Sequence, residues 1–192
     1  MKNITAELND QKRKVDFNSY DMSVKELISM VNDNIIDIAP EYQRQFRWDD
    51  ERQSALIESI FLGIPVPSLF MATNNDGTWE VIDGVQRLSS IINFAADVIS
   101  SARKKINREI PLSLCNLKKL ESFNGLKFPE LPRSLQIDFL LKPIKITTLS
   151  DKSDKSVRFD LFERLNTGGI KLSDQEIRSC IYRGRFNDFI KG

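Results

Sequence analysis

Residues 79–100 combine a strand pattern and a helix pattern in one unbroken stretch, and this combination limits the folds open to the chain. The residues WEVID at 79–83 alternate as a β-strand does. After Asp83 and Gly84, apolar residues recur at three- and four-residue spacing, as along the buried face of a helix. The chain therefore needs a sheet with helices packed on it. The apolar helix positions are Leu88, Ile91, Ile92, Ala95, Ala96 and Ile99.

Other patterns add strands and helices in irregular order. Ser23, followed three residues later by Glu26, is a capping box that predicts the start of a short helix. A longer helix is predicted from Asp49 or Asp50 to a stop at Gly63. Residues 69–72 and 79–83 are predicted to form a hairpin, and residues 100–142 mostly give competing patterns. Further strands are predicted at 36–38 and 144–148, and further helices at 133–140, at 157–165 and after Ser173.

The order of these elements indicates the domain organisation. No internal repeat or low-complexity tract is present, so we predict one α+β domain over residues 19–192. Residues 1–18 are polar and mixed in charge, and we expect them to be a flexible segment. The sequence stops shortly after its last predicted helix begins, so we also expect a truncation before a C-terminal effector region.

The composition excludes several kinds of chemistry. The chain has no histidine, which rules out Ser-His triads, Cys-His dyads and His-ligated zinc within it. Cys115 and Cys180 lie far apart and fit no metal-ligand spacing, which is typical of small buried thiols. The 28 basic and 27 acidic residues nearly cancel, so net charge does not indicate a nucleic-acid binder. Any reaction must therefore use carboxylates, amides, arginines and backbone groups.

The N-terminal residues bear on the location of the protein. The segment MKNITAELNDQKRKVDF carries charges where a signal peptide needs an apolar run. Apolar stretches elsewhere are short and interrupted. We therefore expect a soluble, cytoplasmic protein with no membrane partner.

The first candidate site is PEYQRQFRW, residues 40–48, between a predicted strand and a predicted helix. Loops held between rigid elements often carry binding groups. Tyr42 and Trp48 can stack on a base, while Gln43 can hydrogen-bond a base edge or a phosphate. Arg44 can bind phosphate oxygens with both arms of its guanidinium. The alternative is that the aromatic residues belong to the core and the arginine faces solvent.

The second candidate site is VIDGVQR, residues 81–87, at the predicted strand-to-helix junction. Gly84 lets a ligand approach the backbone, and the positive start of the helix attracts phosphate. Arg87 stands in the first turn, where a cation is unfavourable unless an anion is near. Asp83 can hold Mg²⁺ or orient an attacking water, and Gln86 can position a nucleotide. The alternative is that Asp83 only caps the helix and Arg87 is exposed.

The third candidate site is FERLNTGGIKLSDQEIR, residues 162–178. It predicts a helix, a glycine-rich turn and a second capped helix. Asn166 can accept hydrogen bonds from the turn amides or reach a ligand. The local sequence favours the role in the turn.

Taken together and in this order, the three segments resemble the N-terminal domain of GmrSD-type modification-dependent restriction endonucleases and related phage-defence proteins. The resemblance covers residues 36–185. PEYQRQFRW is similar to the family's Pro-x-Tyr-Gln-Arg-x-x-x-Trp signature. The spacing to IPVPSLF and WEVIDGVQRLSSIINF is also similar, as is the later block RLNTGGIKLSDQEIR.

The resemblance implies a fold and a site. The fold is like that of the ParB/sulfiredoxin group, a mixed sheet with surrounding helices in which an Asp-Gly-x-Gln-Arg loop helps to form a nucleotide site. Val85 stands where the family usually has a glutamine. By this resemblance the catalytic residues are Asp83, Gln86 and Arg87, with Asp83 also the metal ligand, and the nucleotide-binding residues are Tyr42, Gln43, Arg44, Gly84 and Asn166.

The resemblance also implies a function. We expect binding and hydrolysis of a nucleoside triphosphate (GTP, ATP or CTP) with Mg²⁺, in control of the recognition or cutting of modified DNA. The family's histidine-dependent nuclease half is missing from the sequence, so we expect a nuclease or other effector domain or subunit as partner. Two alternatives stay open: a non-enzymatic DNA-binding module, and a regulatory subunit that acts only through a partner protein. A homo-oligomer is compatible with each of them.

Overall fold

Strands and helices of the chain build one mixed sheet with helices packed on it. The computed structural model describes residues 4–13, 16–38, 48–97 and 99–150. The strands there are β1 (Phe17–Ser23), β2 (Ile36–Asp37), β3 (Leu69–Thr73), β4 (Trp79–Asp83) and β5 (Pro143–Leu149). The α-helices there are α1 (Ile4–Arg13), α2 (Val24–Asn32), α3 (Asp50–Phe61), α4 (Val85–Ala95), α5 (Ser101–Lys105) and α6 (Arg133–Leu141).

The five strands follow the order β1-β5-β3-β4-β2 across the sheet. β1 is antiparallel to β5 and β3 is antiparallel to β4, whereas β5 runs parallel to β3 and β4 parallel to β2. This mixture of directions, with helices between the strands, confirms the α+β prediction. The predicted hairpin is also confirmed, because β3 and β4 pair from Thr73 and Trp79 onwards.

The described part of the N-terminal segment, residues 4–13 and 16–18, contains regular structure. α1 covers Ile4–Arg13, and β1 pairs with β5 along its whole length. The helix leaves Ile4 80% and Leu8 52% exposed, and most of β1 is exposed too. Hydrophobic periodicity gives no signal for β1, because backbone pairing rather than apolar burial holds it. Flexibility of this segment stays a prediction.

The predicted helix after Ser23 is confirmed as α2. Ser23 Oγ accepts a hydrogen bond from the Glu26 N–H at 3.2 Å. The predicted apolar side, Leu27, Ile28 and Val31, is buried in the core. The cap satisfies one of the amides that have no partner within the helix.

We expect Ser23→Ala to lower the free energy of unfolding by about 1 kcal/mol, because the Glu26 amide loses its acceptor. Urea unfolding followed by far-UV circular dichroism measures this loss. Ser59→Ala is the matched control, since the Ser59 hydroxyl only donates to the Ala55 carbonyl within α3. A loss in Ser23→Ala no larger than the change in Ser59→Ala would contradict a capping role.

An aromatic cluster joins α3, α4 and α6. Phe61 of α3, Phe94 of α4 and Phe139 of α6 have ring centroids 4.8 to 6.3 Å apart. Phe94 and Phe139 are fully buried, and two of the three ring pairs meet edge to face. Because α4 directly follows β4, this cluster sets the position of the strand-to-helix junction relative to α3.

One of the two cysteines lies within the described residues. Cys115 is a free, half-buried thiol whose Sγ lies 3.7 Å from Ser54 Oγ, while Cys180 lies outside the described residues. Within the described ranges, no helix has the length and apolar character needed to cross a bilayer.

Candidate functional site

The predicted change from strand to helix at Asp83-Gly84 is confirmed. β4 ends at Asp83, and Gly84 is the N-cap of α4 with φ 97° and ψ 12°. This left-handed backbone favours glycine. The alternative in which Asp83 caps the helix is wrong, because the cap is Gly84 and makes no side-chain hydrogen bond. α4 therefore begins without the carboxylate or hydroxyl cap that many helices have.

A β-bulge lies directly before Asp83. Met71 pairs with Val81, but Phe70 pairs with Asp83. Ile82 is therefore an extra residue in β4 that has no pairing partner in β3. Such a bulge bends the strand and redirects the side chains that follow it. The direction of the Asp83 side chain therefore depends on an irregularity of the sheet as well as on the end of the strand.

Asp83 and Arg87 form an ion pair across the junction. Arg87 Nη2 donates to Asp83 Oδ2 at 2.6 Å. The Asp83 side chain is 32% exposed, whereas the Arg87 side chain is 13% exposed. The exposed arginine of the alternative interpretation is therefore wrong. The anion that compensates for a cation in the first turn of α4 is supplied by the chain itself.

Gly84 provides the space in which this ion pair lies. A Cβ atom on Gly84 would lie 3.1 Å from Arg87 Nη2 and 3.3 Å from Arg87 Nε. The same Cβ atom would also lie less than 3.0 Å from Leu69 Cδ2. Glycine is therefore required here by its backbone angles and also by the close approach of two side chains.

Gln86 connects the junction to the end of the first candidate segment. The Trp48 N–H donates to Gln86 Oε1 at 3.3 Å, and Gln53 Nε2 donates to the Trp48 carbonyl at 3.0 Å. The Arg52 guanidinium lies over the Trp48 ring, 4.7 Å from its centroid. Residue 48 of the first segment and residue 86 of the second are thus in direct contact.

Four of the predicted site residues lie outside the described residues. These are Tyr42, Gln43 and Arg44 of the first segment and Asn166 of the third. Convergence of the Arg44 and Arg87 guanidinium groups on one anionic pocket therefore stays a prediction. The described part of the site consists of Asp83, Gly84, Gln86 and Arg87.

Sequence reasoning missed three buried polar residues near the site. Gln53 and Asn93 occupy α3 and α4, Arg103 occupies α5, and each is at most 2% exposed. Burial lowers the pKa of the Arg103 guanidinium, and the nearby Asp97 carboxylate opposes that shift. The available signal was weak: Gln53 and Asn93 are polar residues on helix faces that bury mostly apolar side chains together with a few serines.

Asp83 alone offers little to a metal ion. Within the ranges that the structure describes, no group of three or more His, Cys, Asp or Glu residues could hold one. One carboxylate oxygen of Asp83 already accepts from Arg87. Mg²⁺ is commonly bound by one or two carboxylates together with substrate phosphates and water. Asp83 therefore fits Mg²⁺ only in the company of phosphate, and its role as a metal ligand stays a prediction.

Comparison with known proteins gives one match. The sequence model of a family described as "GmrSD restriction endonuclease, N-terminal domain" matches residues 24–183. The match spans all three candidate segments. Searches of curated proteins and of solved structures found no match. The more specific similarity to the ParB/sulfiredoxin group therefore stays a prediction.

Proposed function

The chain belongs to the GmrSD restriction endonuclease N-terminal domain family, and from this premise we propose that it binds and hydrolyses nucleoside triphosphates to regulate a DNA restriction or phage-defence system that senses modified DNA. The observation that carries the proposal is the Asp83–Arg87 ion pair beside Gly84. It brings a cation, a carboxylate and the positive start of a helix together. Phosphoryl transfer chiefly requires positioning and charge stabilisation of this kind.

We assign Arg87 to the phosphates. Its guanidinium donates to Asp83, and a phosphate oxygen at the start of α4 would be a competing anionic acceptor. Because the Arg87 side chain is only 13% exposed, exchanging one anion for another avoids leaving a nearly buried cation unpaired. Asp83 then becomes available to hold Mg²⁺ or to orient the attacking water.

Mg²⁺ and Gln86 complete the part of the proposed site that lies within the described residues. Asp83 would hold Mg²⁺, which would neutralise part of the phosphate charge. Gln86 is assigned to positioning the nucleotide or the water, and its contact with Trp48 supports a location near the first segment.

The remaining members of the proposed site come from the other two segments. The contact between Trp48 and Gln86 supports including Tyr42, Gln43 and Arg44 as nucleotide-binding residues. Asn166 is included by the family resemblance alone. We assign the cutting of DNA to a nuclease or other effector domain or subunit, because the sequence contains no histidine, on which the family's nuclease site depends.

A non-enzymatic DNA-recognition module is the second candidate. The exposed Arg52, held over the partly buried Trp48 ring, favours it, because a guanidinium fixed in this way can bind a DNA phosphate. DNA affinity in this case falls steeply with salt concentration. Preference for modified duplexes that does not respond to any nucleoside triphosphate would support this function over the first.

We expect Arg87→Ala to weaken nucleotide binding and to lower turnover by at least about tenfold, because a charge-assisted hydrogen bond to phosphate is lost. Isothermal titration calorimetry and phosphate-release assays with GTP, ATP and CTP in the presence of Mg²⁺ measure the two quantities. The variant should stay folded, since Asp83 is partly exposed and water can solvate its carboxylate.

Arg133→Ala is the matched control for this substitution. Arg133 is an exposed arginine at the first position of α6, so it reproduces the loss of charge at a helix start away from the junction. Equal turnover in the wild type and in Arg87→Ala would remove Arg87 from the mechanism. Failure of the wild type to bind any of the three nucleotides would remove the nucleotide function itself.

A further inference from the structure

A chain of buried hydrogen bonds runs from α5 to the peptide at Trp48. Arg103 Nη1 donates to Asn93 Oδ1 at 3.0 Å, and Asn93 Nδ2 donates to Gln53 Oε1 at 2.9 Å. Gln53 Nε2 then donates to the Trp48 carbonyl at 3.0 Å. The three side chains are 0 to 2% exposed, so water cannot substitute for these contacts.

Arg103 at one end of this chain of hydrogen bonds and the Asp50 carboxylate at the other both fix its direction. A guanidinium has donors and no acceptor, so Asn93 must face Arg103 with its oxygen. The amide nitrogen of Asn93 is therefore directed at Gln53, whose oxygen accepts it. Gln53 thus presents its own amide nitrogen to the Trp48 carbonyl and, at 3.3 Å, to Asp50 Oδ1. Hydrogen bonds aligned in this way strengthen one another in a poorly solvated interior.

Arg103 is itself held in place by the end of α4. Its Nη2 donates to the carbonyls of Asn93 at 2.8 Å and Ala96 at 2.9 Å, and to that of Ile92 at 3.4 Å. Its Nε is buried with no hydrogen-bond partner in the described part of the chain. A buried cation with an unsatisfied donor is a costly way to fill space. This cost indicates a role in fixing position rather than in stability alone.

We propose that Arg103 is a positioning residue which, through Asn93 and Gln53, sets the orientation of the Trp48 peptide against Gln86. The Trp48 backbone is held on both sides of its Cα atom, since Gln53 Nε2 donates to the Trp48 carbonyl and Gln86 Oε1 accepts from the Trp48 N–H. The consequence for ligand binding rests on the proposed function, in which Gln86 belongs to the nucleotide site. The orientation of the peptide itself does not depend on any ligand.

Asn93→Asp tests the direction of the chain. The new carboxylate still accepts from Arg103, but it can no longer donate to Gln53. The Gln53 amide must rotate to donate to the carboxylate, and it then presents its oxygen to the Trp48 carbonyl, which repels it. The contact between Gln53 and Trp48 is lost although every side chain keeps its size. Arg103→Met is a second variant, which removes the donor that orients Asn93 and introduces no new charge.

Trp48 is the fluorescence probe of this test. Because the chain has two tryptophans, the other one, Trp79, is first replaced by phenylalanine. In this background we expect both variants to increase acrylamide quenching of Trp48 fluorescence and to weaken binding of the nucleotide by about tenfold. The control is Ile91→Val, which removes one buried methyl group from the same helix and should change neither quantity.

The two readouts separate the possible results. Unchanged quenching of Trp48 in both variants would overturn the positioning role. Changed quenching with unchanged nucleotide affinity would overturn its connection to the ligand site. If the parent protein binds none of GTP, ATP and CTP, the proposed function fails, while changed quenching in both variants still supports the positioning of the Trp48 peptide by Arg103.

Discussion

Replacing Gly84 with alanine is expected to lower the free energy of unfolding by about 3 kcal/mol, through backbone strain and a steric clash together. The residue has φ 97°, a conformation that alanine adopts only at a cost. Its Cβ atom would also come closer than 3.0 Å to Leu69 Cδ2 and to 3.1 Å from Arg87 Nη2. Either Leu69 and the guanidinium must move, or β4 and α4 must separate.

Chemical denaturation of Gly84→Ala measures this loss, and Gly77→Ala is the matched control. Gly77 has φ 84°, but nothing lies within 4 Å of its Cβ position, so only the backbone cost applies. That cost is about 1 kcal/mol. The difference between the two variants therefore isolates the close approach at the junction. Equal losses of stability would contradict the tight packing of Gly84 against Leu69 and Arg87.

We expect the same substitution to change the ion pair. The Arg87 guanidinium lies against Gly84, so a methyl group there displaces it from Asp83. Under the proposed function, nucleotide binding is therefore lost in Gly84→Ala under conditions where the protein is still folded. Calorimetric titration with the nucleotide that the wild type binds provides the measurement, and wild-type affinity in the variant would contradict the expectation.

Arg103→Met is expected to lower the free energy of unfolding by about 3 kcal/mol, because it leaves several buried acceptors without a donor. These acceptors are the carbonyls of Asn93 and Ala96 and the side-chain oxygen of Asn93. Methionine replaces most of the lost volume, so the effect reports on hydrogen bonding more than on a cavity.

Lys104→Met is the control for this substitution, since Lys104 is an exposed cation at the next position of the same short helix. Its free energy of unfolding is expected to change by less than about 0.5 kcal/mol. Urea unfolding of both variants under identical conditions gives the comparison. A loss in Arg103→Met as small as that in Lys104→Met would show that the carbonyls at the end of α4 find other partners.

Several elements could be predicted because their signals are local. Asp49 caps α3 by accepting from the Arg52 N–H at 2.8 Å, as the predicted start at 49 or 50 requires. The predicted stop at Gly63 is confirmed by its φ of 71°, just beyond Leu62 at the end of the helix. Each of these features lies within four residues of the group it satisfies, so composition and spacing are sufficient to identify it.

Residues 100–132 could not be predicted in the same way, whereas the helix predicted at 133–140 is confirmed as α6. Glu58 Oε1 accepts from the backbone N–H groups of Lys119 and Leu120, 61 and 62 residues away. Ser54 Oγ accepts from the Cys115 N–H, also 61 residues away. Contacts with α3 therefore hold this part of the chain, and they follow no helix or strand period.

For the candidate site, the sequence by itself determined where β4 changes to α4 and which residue types stand there. Only the tertiary structure decided that Arg87 binds Asp83 and that Gln86 contacts Trp48, 38 residues away. Periodicity, turns and caps depend on neighbours a few residues apart, so the order of amino acids specifies them. The partner of a buried polar side chain depends on which distant groups the packing of separate elements brings within hydrogen-bonding distance.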